Sequence, residues 1–167
     1  MKQFFLIQII LFFCVTCFAT DLLIVDKDTF YLKTYPLETL QIKQRPFGLN
    51  KQAVNAANQY PGYQAVWRIV EGKLYLEKII SFSGDTSLRE NIVDLFKKNA
   101  IQYQTNGKMI FADWLTITYY SMEPYSKKKG SIIFLAGSFS EKYNGNKALL
   151  RFEKGFVKMN NLPKDYR

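Results

Sequence analysis

From Gly62 to Ile80, apolar and polar positions alternate with a period near two on both sides of Glu71-Gly72. That is the pattern of two half-buried strands joined by a tight turn. A two-residue turn sets Val70 opposite Lys73 and carries the pairing back through Ile69 with Leu74, Trp67 with Leu76 and Tyr63 with Ile80. The last six of these residues form one apolar face. The other face pairs Arg68 with Tyr75 and Gln64 with Ile79, a mixed surface suited to a sheet that is wet on one side or covered by a loop. A bulge would shift these pairs by one.

The same reading extends in both directions. Leu22 to Val25 and Thr29 to Lys33 read as strands around a turn at Asp26-Lys27-Asp28. The acid pair Asp26 and Asp28 lacks the glycine and distal glutamate of an EF-hand loop, so turn chemistry is its expected role. Leu37 to Ile42 is an edge strand or a single turn, because Pro36 restricts its neighbours. Asn50 is placed to cap a short helix over residues 51–58, stopped by Pro61-Gly62. Ser87 and Glu90 have the spacing of a capping box. They predict a helix over residues 87–98 whose stripe of Leu88, Ile92, Leu95 and Phe96 packs on a sheet, with Lys97 and Lys98 at its negative end.

Strand patterns then return at residues 100–104, 108–113, 116–120, 131–139, 147–152 and 156–159. Asn106-Gly107, Asn144-Gly145 and Lys154-Gly155 are hairpin-type junctions, and Lys127-Lys128-Lys129-Gly130 is a charged connection. The expected fold is α+β and mainly antiparallel: a twisted or partly closed sheet of roughly seven to ten strands with one packed helix.

The N-terminus changes the picture of where this fold works. Lys2, an apolar run from Phe4 to Val15 and Ala19 ahead of Thr20-Asp21 have the three parts of a secretory signal. Residues 1–19 are therefore read as a signal peptide and 20–167 as one domain. The alternative is a lipoprotein anchored through Cys17. Cleavage removes Cys14 and Cys17 together and leaves 148 of the 167 residues without a cysteine, which excludes a disulfide scaffold. The expected location is the periplasm or the outside of the cell, with no transmembrane span in the mature chain. The formal charge of +9 becomes +8 without Lys2. In an exported protein such a balance suits an acidic protein partner or an anionic envelope component better than nucleic acid, and it also serves solubility.

Three segments taken together resemble a family of small exported proteins common in bacteria of the Bacteroides and Flavobacterium group. They are Gly62-Tyr63, Ala65, Trp67 and Ile69 with Leu74-Tyr75-Leu76 and Ile79; Phe111-Ala112-Asp113-Trp114; and Phe152-Glu153-Lys154-Gly155. Tyr35-Pro36-Leu37-Glu38 stands where that family has an Asn-Pro-Leu-Glu-like segment. The chain departs from the pattern at Gln59-Tyr60-Pro61, where a Cys-Trp-Arg sequence is common, and at Leu115 to Thr118, where a glycine follows the tryptophan. The resemblance implies export and a β-rich fold, and it implies no activity.

Chemistry is narrowed by what the chain lacks. With no histidine, Ser-His and Cys-His pairs and the usual zinc sites are excluded. No glycine-rich phosphate loop is present. Carboxylate or lysine chemistry is left, with Asp113 beside Trp114 and Glu77, Asp94 or Glu123 as second carboxylates, and nothing in the spacing says that any two of these meet. No cofactor, metal or catalytic activity is expected. The functional expectation is a non-catalytic exported protein that binds a macromolecular partner, for instance as a periplasmic inhibitor or immunity protein. The basic candidates are Lys127, Lys128 and Lys129 on one connection and Lys142, Lys147 and Lys154 around the last hairpins. The alternatives are a carrier of a small apolar or anionic ligand, with Tyr63, Trp67, Phe111 and Trp114 lining a cavity or simply filling a core, and a glycan-binding module.

Overall fold

The central hairpin forms as its alternation requires. In the computed structural model, which describes residues 20–49, 61–81, 87–122, 134–138 and 148–163, β3 (Tyr63–Val70) and β4 (Lys73–Ser81) are antiparallel about Glu71-Gly72. Both turn residues have positive φ, 50° and 72°, the combination that suits the right-handed twist of the strands. Val70↔Lys73, Ile69↔Leu74, Arg68↔Tyr75 and Trp67↔Leu76 pair as the turn dictates. A bulge beyond Trp67 then shifts the register, so that Tyr63 faces Ser81 and Ala65 faces Ile79. Ile79 is therefore the buried residue, and Ile80, expected on the apolar face opposite Tyr63, is only half-buried. Glu77 and Lys78 sit at the slip, where two polar residues in succession take up the extra position without exposing a core side chain.

The remaining strands are β1 (Asp21–Val25), β2 (Asp28–Leu32), β5 (Thr105–Asn106), β6 (Met109–Phe111), β7 (Ile117–Ser121), β8 (Phe134–Ser138), β9 (Ala148–Glu153) and β10 (Phe156–Asn160). Their order, β10-β9-β7-β8-β2-β1-β3-β4, returns on itself because β10 also pairs with β4, through Phe156↔Lys73. The expected twisted or partly closed sheet is thus a closed barrel of eight strands, with the small β5–β6 hairpin attached to β4. Closure removes the exposed edges that an open sheet would leave. Most pairings are antiparallel, but β1 runs parallel to β3 and β2 parallel to β8. These strands are joined by long connections, and the tight-turn argument for antiparallel pairing has no force there.

The seam is built by the turn between β9 and β10. The Gly155 N–H donates to the Leu115 carbonyl and its own carbonyl accepts from the Leu74 N–H, each at 2.8 Å. Gly155 has φ +75°, and a Cβ there would stand 2.6 Å from the Ala112 carbonyl oxygen. Gly72 has φ +72° with open space around it. Gly155→Ala is accordingly expected to destabilise by about 2 to 4 kcal/mol, from left-handed strain and overpacking against backbone. Gly72→Ala carries the strain alone, about 1 to 2 kcal/mol. Denaturant midpoints of the two variants check this, and equal losses would remove the seam contact from the account.

Two other segments depart from expectation. The helix α1 spans only Ile92–Lys98 and is capped by Asn91, whose side chain accepts from the Asp94 N–H, not by Ser87. The reason lies in β4: the Ser81 N–H takes the Leu88 carbonyl, and the Glu90 N–H donates to Ile79. Residues 88–90 are thereby held extended against the strand, and Leu88 is exposed. Residues 100–104 form no strand: on the side of β6 away from β4, only Thr105–Asn106 pairs with it, and a single bond from the Phe111 N–H to the Gln104 carbonyl lies beyond that pair. Residues 37–42 resolve as a turn: a 3₁₀ segment, Pro36–Leu40, followed by a second at Pro46–Gly48. The helix expected at residues 51–58 lies outside the described residues.

Candidate functional site

Along β3 the inward positions are Tyr63, Ala65 and Trp67, and all three are fully buried. Trp67, Tyr63, Tyr119, Phe30 and Phe152 occupy the barrel interior together with Leu23, Leu32, Leu76 and Leu135. Tyr63 and Trp67 are therefore core side chains, not the lining of a ligand cavity. Trp114 wedges between barrel and helix, its ring 6.3 Å from Trp67 and 5.6 Å from Phe96. Phe111, expected to line a cavity or fill a core, is buried on the other face of the sheet from Ile110: it pairs with Tyr75, and its ring meets Phe156 at 5.2 Å. The cause is the strand period, since Ile110 takes the inward position beside Leu76.

A polar network is folded into one end of this core. Asp21 opens β1 fully buried; one carboxylate oxygen accepts from the Ala65 N–H and the other from Trp67 Nε1, each at 3.0 Å. Burial raises its pKa to about 7 against the opposing pull of those two hydrogen bonds. Nearby, the Tyr63 hydroxyl and Arg45 Nη2 both donate to Glu38 Oε1 at 2.6 Å. Burial and the Glu38 charge push the Tyr63 phenol up, and burial also raises Tyr119, whose hydroxyl accepts from Thr34. A carboxyl group with a pKa near neutrality is a usual mark of acid–base chemistry. Asp21, however, is closed off from solvent and satisfied by core partners, so its role is structural.

Two of the candidate carboxylates have partners of their own. Glu77 pairs with Arg68 at 2.6 Å and Asp94 receives the Asn91 amide at 2.7 Å. Asp113 lies in the turn before Trp114, and Glu123 is outside the described residues. Among the described residues no group of three or more acidic, cysteine or histidine side chains could hold a metal ion, and no helix is long and apolar enough to cross a membrane. Of the basic candidates, Lys154 is exposed at the β9–β10 turn with its N–H on Thr116 Oγ1. Lys127, Lys128, Lys129, Lys142 and Lys147 lie outside the described residues.

A concave site is found elsewhere, where the segment from Lys43 to Leu49 meets α1. It is a cleft of about 290 Å³ with Lys43, Arg45 and Leu49 on one side and Glu90, Leu95 and Lys98 on the other. Asn99, the residue after α1, fixes its base: its Oδ1 accepts from the Lys43 and Gln44 N–H groups at 2.8 and 2.9 Å, and its Nδ2 donates to the Gln44 carbonyl. Glu90 fixes the other rim by accepting from the Phe47 N–H at 2.6 Å. Between these clamps the chain holds Phe47 at φ 57°, an unusual left-handed position for an aromatic residue. Two side chains more than forty residues away thus impose the shape of the loop. Lys43 and Lys98 are exposed, while Arg45 is buried with its Nε unpartnered among the described residues.

Sequence reasoning missed this cleft, because Lys43 and Arg45 lie more than fifty positions from Lys98 and only the long-range bonds of Asn99 and Glu90 bring them together. It missed Asp21 as well, although an acid in period-two register with Leu23 was a signal that a charge points inward. No family model matches the chain, and no curated protein or solved structure is significantly similar to it.

Proposed function

We propose that the protein is an exported, non-catalytic binding protein whose basic surface engages an acidic macromolecular partner, in the manner of a periplasmic inhibitor or immunity protein. The observation that carries this reading is the contrast between inside and outside. The barrel core is filled by large side chains, whereas the described concavity lies on the surface and is rimmed by Lys43 and Lys98. A carrier that stores its ligand within the barrel needs a few hundred cubic ångströms of interior space, and the rings of Trp67, Tyr63 and Tyr119 stand there instead. The export half of the proposal rests on the three-part N-terminus, and the charge half on a mature balance of +8.

Charge of this kind acts mainly on encounter, by steering an oppositely charged partner at low salt. Tagged mature protein used as bait on the native envelope is expected to retain an acidic protein. Reversing Lys127, Lys128 and Lys129 together is expected to slow association about tenfold and to flatten its salt dependence. The same capture and the same rate from both forms would reduce these lysines to solubility devices.

A further inference from the structure

The cleft between the Lys43–Leu49 segment and α1 has a more specific chemistry than a basic surface. Lys43 and Lys98 make no ion pair with a described residue, and both rim the same space. Arg45 lies behind them with its side chain only 5% exposed; Nη2 is taken by Glu38, and Nε is left without an acceptor. A buried donor without a partner is costly, and with Nε enclosed Arg45 acts on the cleft through its charge. Leu49 and Leu95 add an apolar wall.

Charge balance sets the valence of the occupant. Glu38 neutralises Arg45, and Glu90, whose carboxylate is held by the Phe47 N–H, offsets one of the two lysines. One positive charge is left over. That excess suits a monoanion, while a phosphate dianion would leave an excess of negative charge beside Glu90. We infer that this cleft is a binding site for a carboxylate carrying a short aliphatic body, its oxygens received by Lys43 and Lys98 in front of the enclosed Arg45 and its chain lying on Leu49 and Leu95. The inference rests on the binding reading above and narrows it: the carboxylate belongs either to a small free acid or to the apolar C-terminus of a peptide.

The probes are hexanoate, hexanol, inorganic phosphate and the acetylated dipeptide Ala-Leu as free acid and as amide, titrated into the full mature protein by calorimetry and amide chemical shifts. Hexanoate is expected to bind and to shift the amides of residues 43–49, with hexanol at least tenfold weaker. Replacing both exposed lysines, Lys43→Gln with Lys98→Gln, is expected to weaken hexanoate at least tenfold with an unchanged denaturant midpoint. A free-acid dipeptide that binds more tightly than hexanoate, and whose amide does not bind, identifies the peptide source; hexanoate as the tighter ligand identifies a small acid. Equal binding of hexanoate and hexanol, equal binding to wild type and double variant, or phosphate binding as tightly as hexanoate would each overturn the inference. The capture experiment above reads a macromolecule and this titration a small carboxylate, so the two readings fail separately.

Discussion

Trp67→Ala is expected to destabilise the protein by about 3 to 5 kcal/mol, the range for a large aromatic side chain lost from a packed interior. Two features place it toward the upper end. The indole is fully buried and packs edge-on against Trp114, so truncation opens a cavity bounded on several sides by barrel strands that cannot collapse into it. Its Nε1 is also one of two donors that satisfy Asp21, and removing it orphans a carboxylate oxygen in the core. Chemical denaturation followed by circular dichroism measures the loss. An unchanged midpoint would mean that the ring is not in the core, and it would return Trp67 to the candidates for a surface platform.

The elements that sequence made legible are those specified by neighbours in the chain. Glu71-Gly72 between two alternating runs was enough to set four cross-strand pairs, and Lys154-Gly155 was enough to mark the last hairpin. Local pattern loses its hold where two assignments satisfy it equally. At Glu77-Lys78 a one-residue slip exchanges one polar position for another, so nothing in the pattern marks the bulge that buries Ile79 in place of Ile80. At Ser87 the capping-box spacing is present, but the backbone of residues 88 and 90 is already bonded to β4, and tertiary pairing overrides the local cap.

Closure of the sheet was illegible for a stronger reason. It depends on β1 beside β3 and β10 beside β4, contacts made by backbone groups that every sequence possesses. The candidate site follows the same division. The run Lys127-Lys128-Lys129 and the separate Lys142, Lys147 and Lys154 were visible in the sequence and drew attention to themselves. Lys43 and Lys98 are fifty-five positions apart, and what joins them is an asparagine whose amide bonds to the backbone at residues 43–44, helped by Glu90 on the Phe47 N–H. An asparagine just past a helix reads as an ordinary C-terminal residue until the loop it holds is in view.

The folded protein is expected to lose stability as pH rises from about 4 to about 7, and Asp21 is the cause. Its carboxyl has a pKa of about 7 when folded and 3.8 when exposed, so between those values the native state holds a proton that the unfolded chain has released. Stability falls with pH wherever the native state binds more protons. The contribution is complete below pH 3.8, and it is gone once pH has passed the folded value. At about 1.4 kcal/mol per pH unit, the decline amounts to about 4 kcal/mol across the window. Other groups titrate too, so the measurement is the difference between wild type and Asp21→Asn in denaturant midpoints from pH 4 to 8. The asparagine does not titrate, and the two curves are expected to diverge through the window; parallel curves would exclude Asp21 as the source. Trp67→Phe supplies the second arm. It keeps most of the ring's volume but removes the indole N–H that favours the ionised carboxylate, so the folded pKa moves further up and the decline continues above pH 7. Burial and the tryptophan oppose each other at this carboxylate, and the direction of that shift shows which of them the core was holding back.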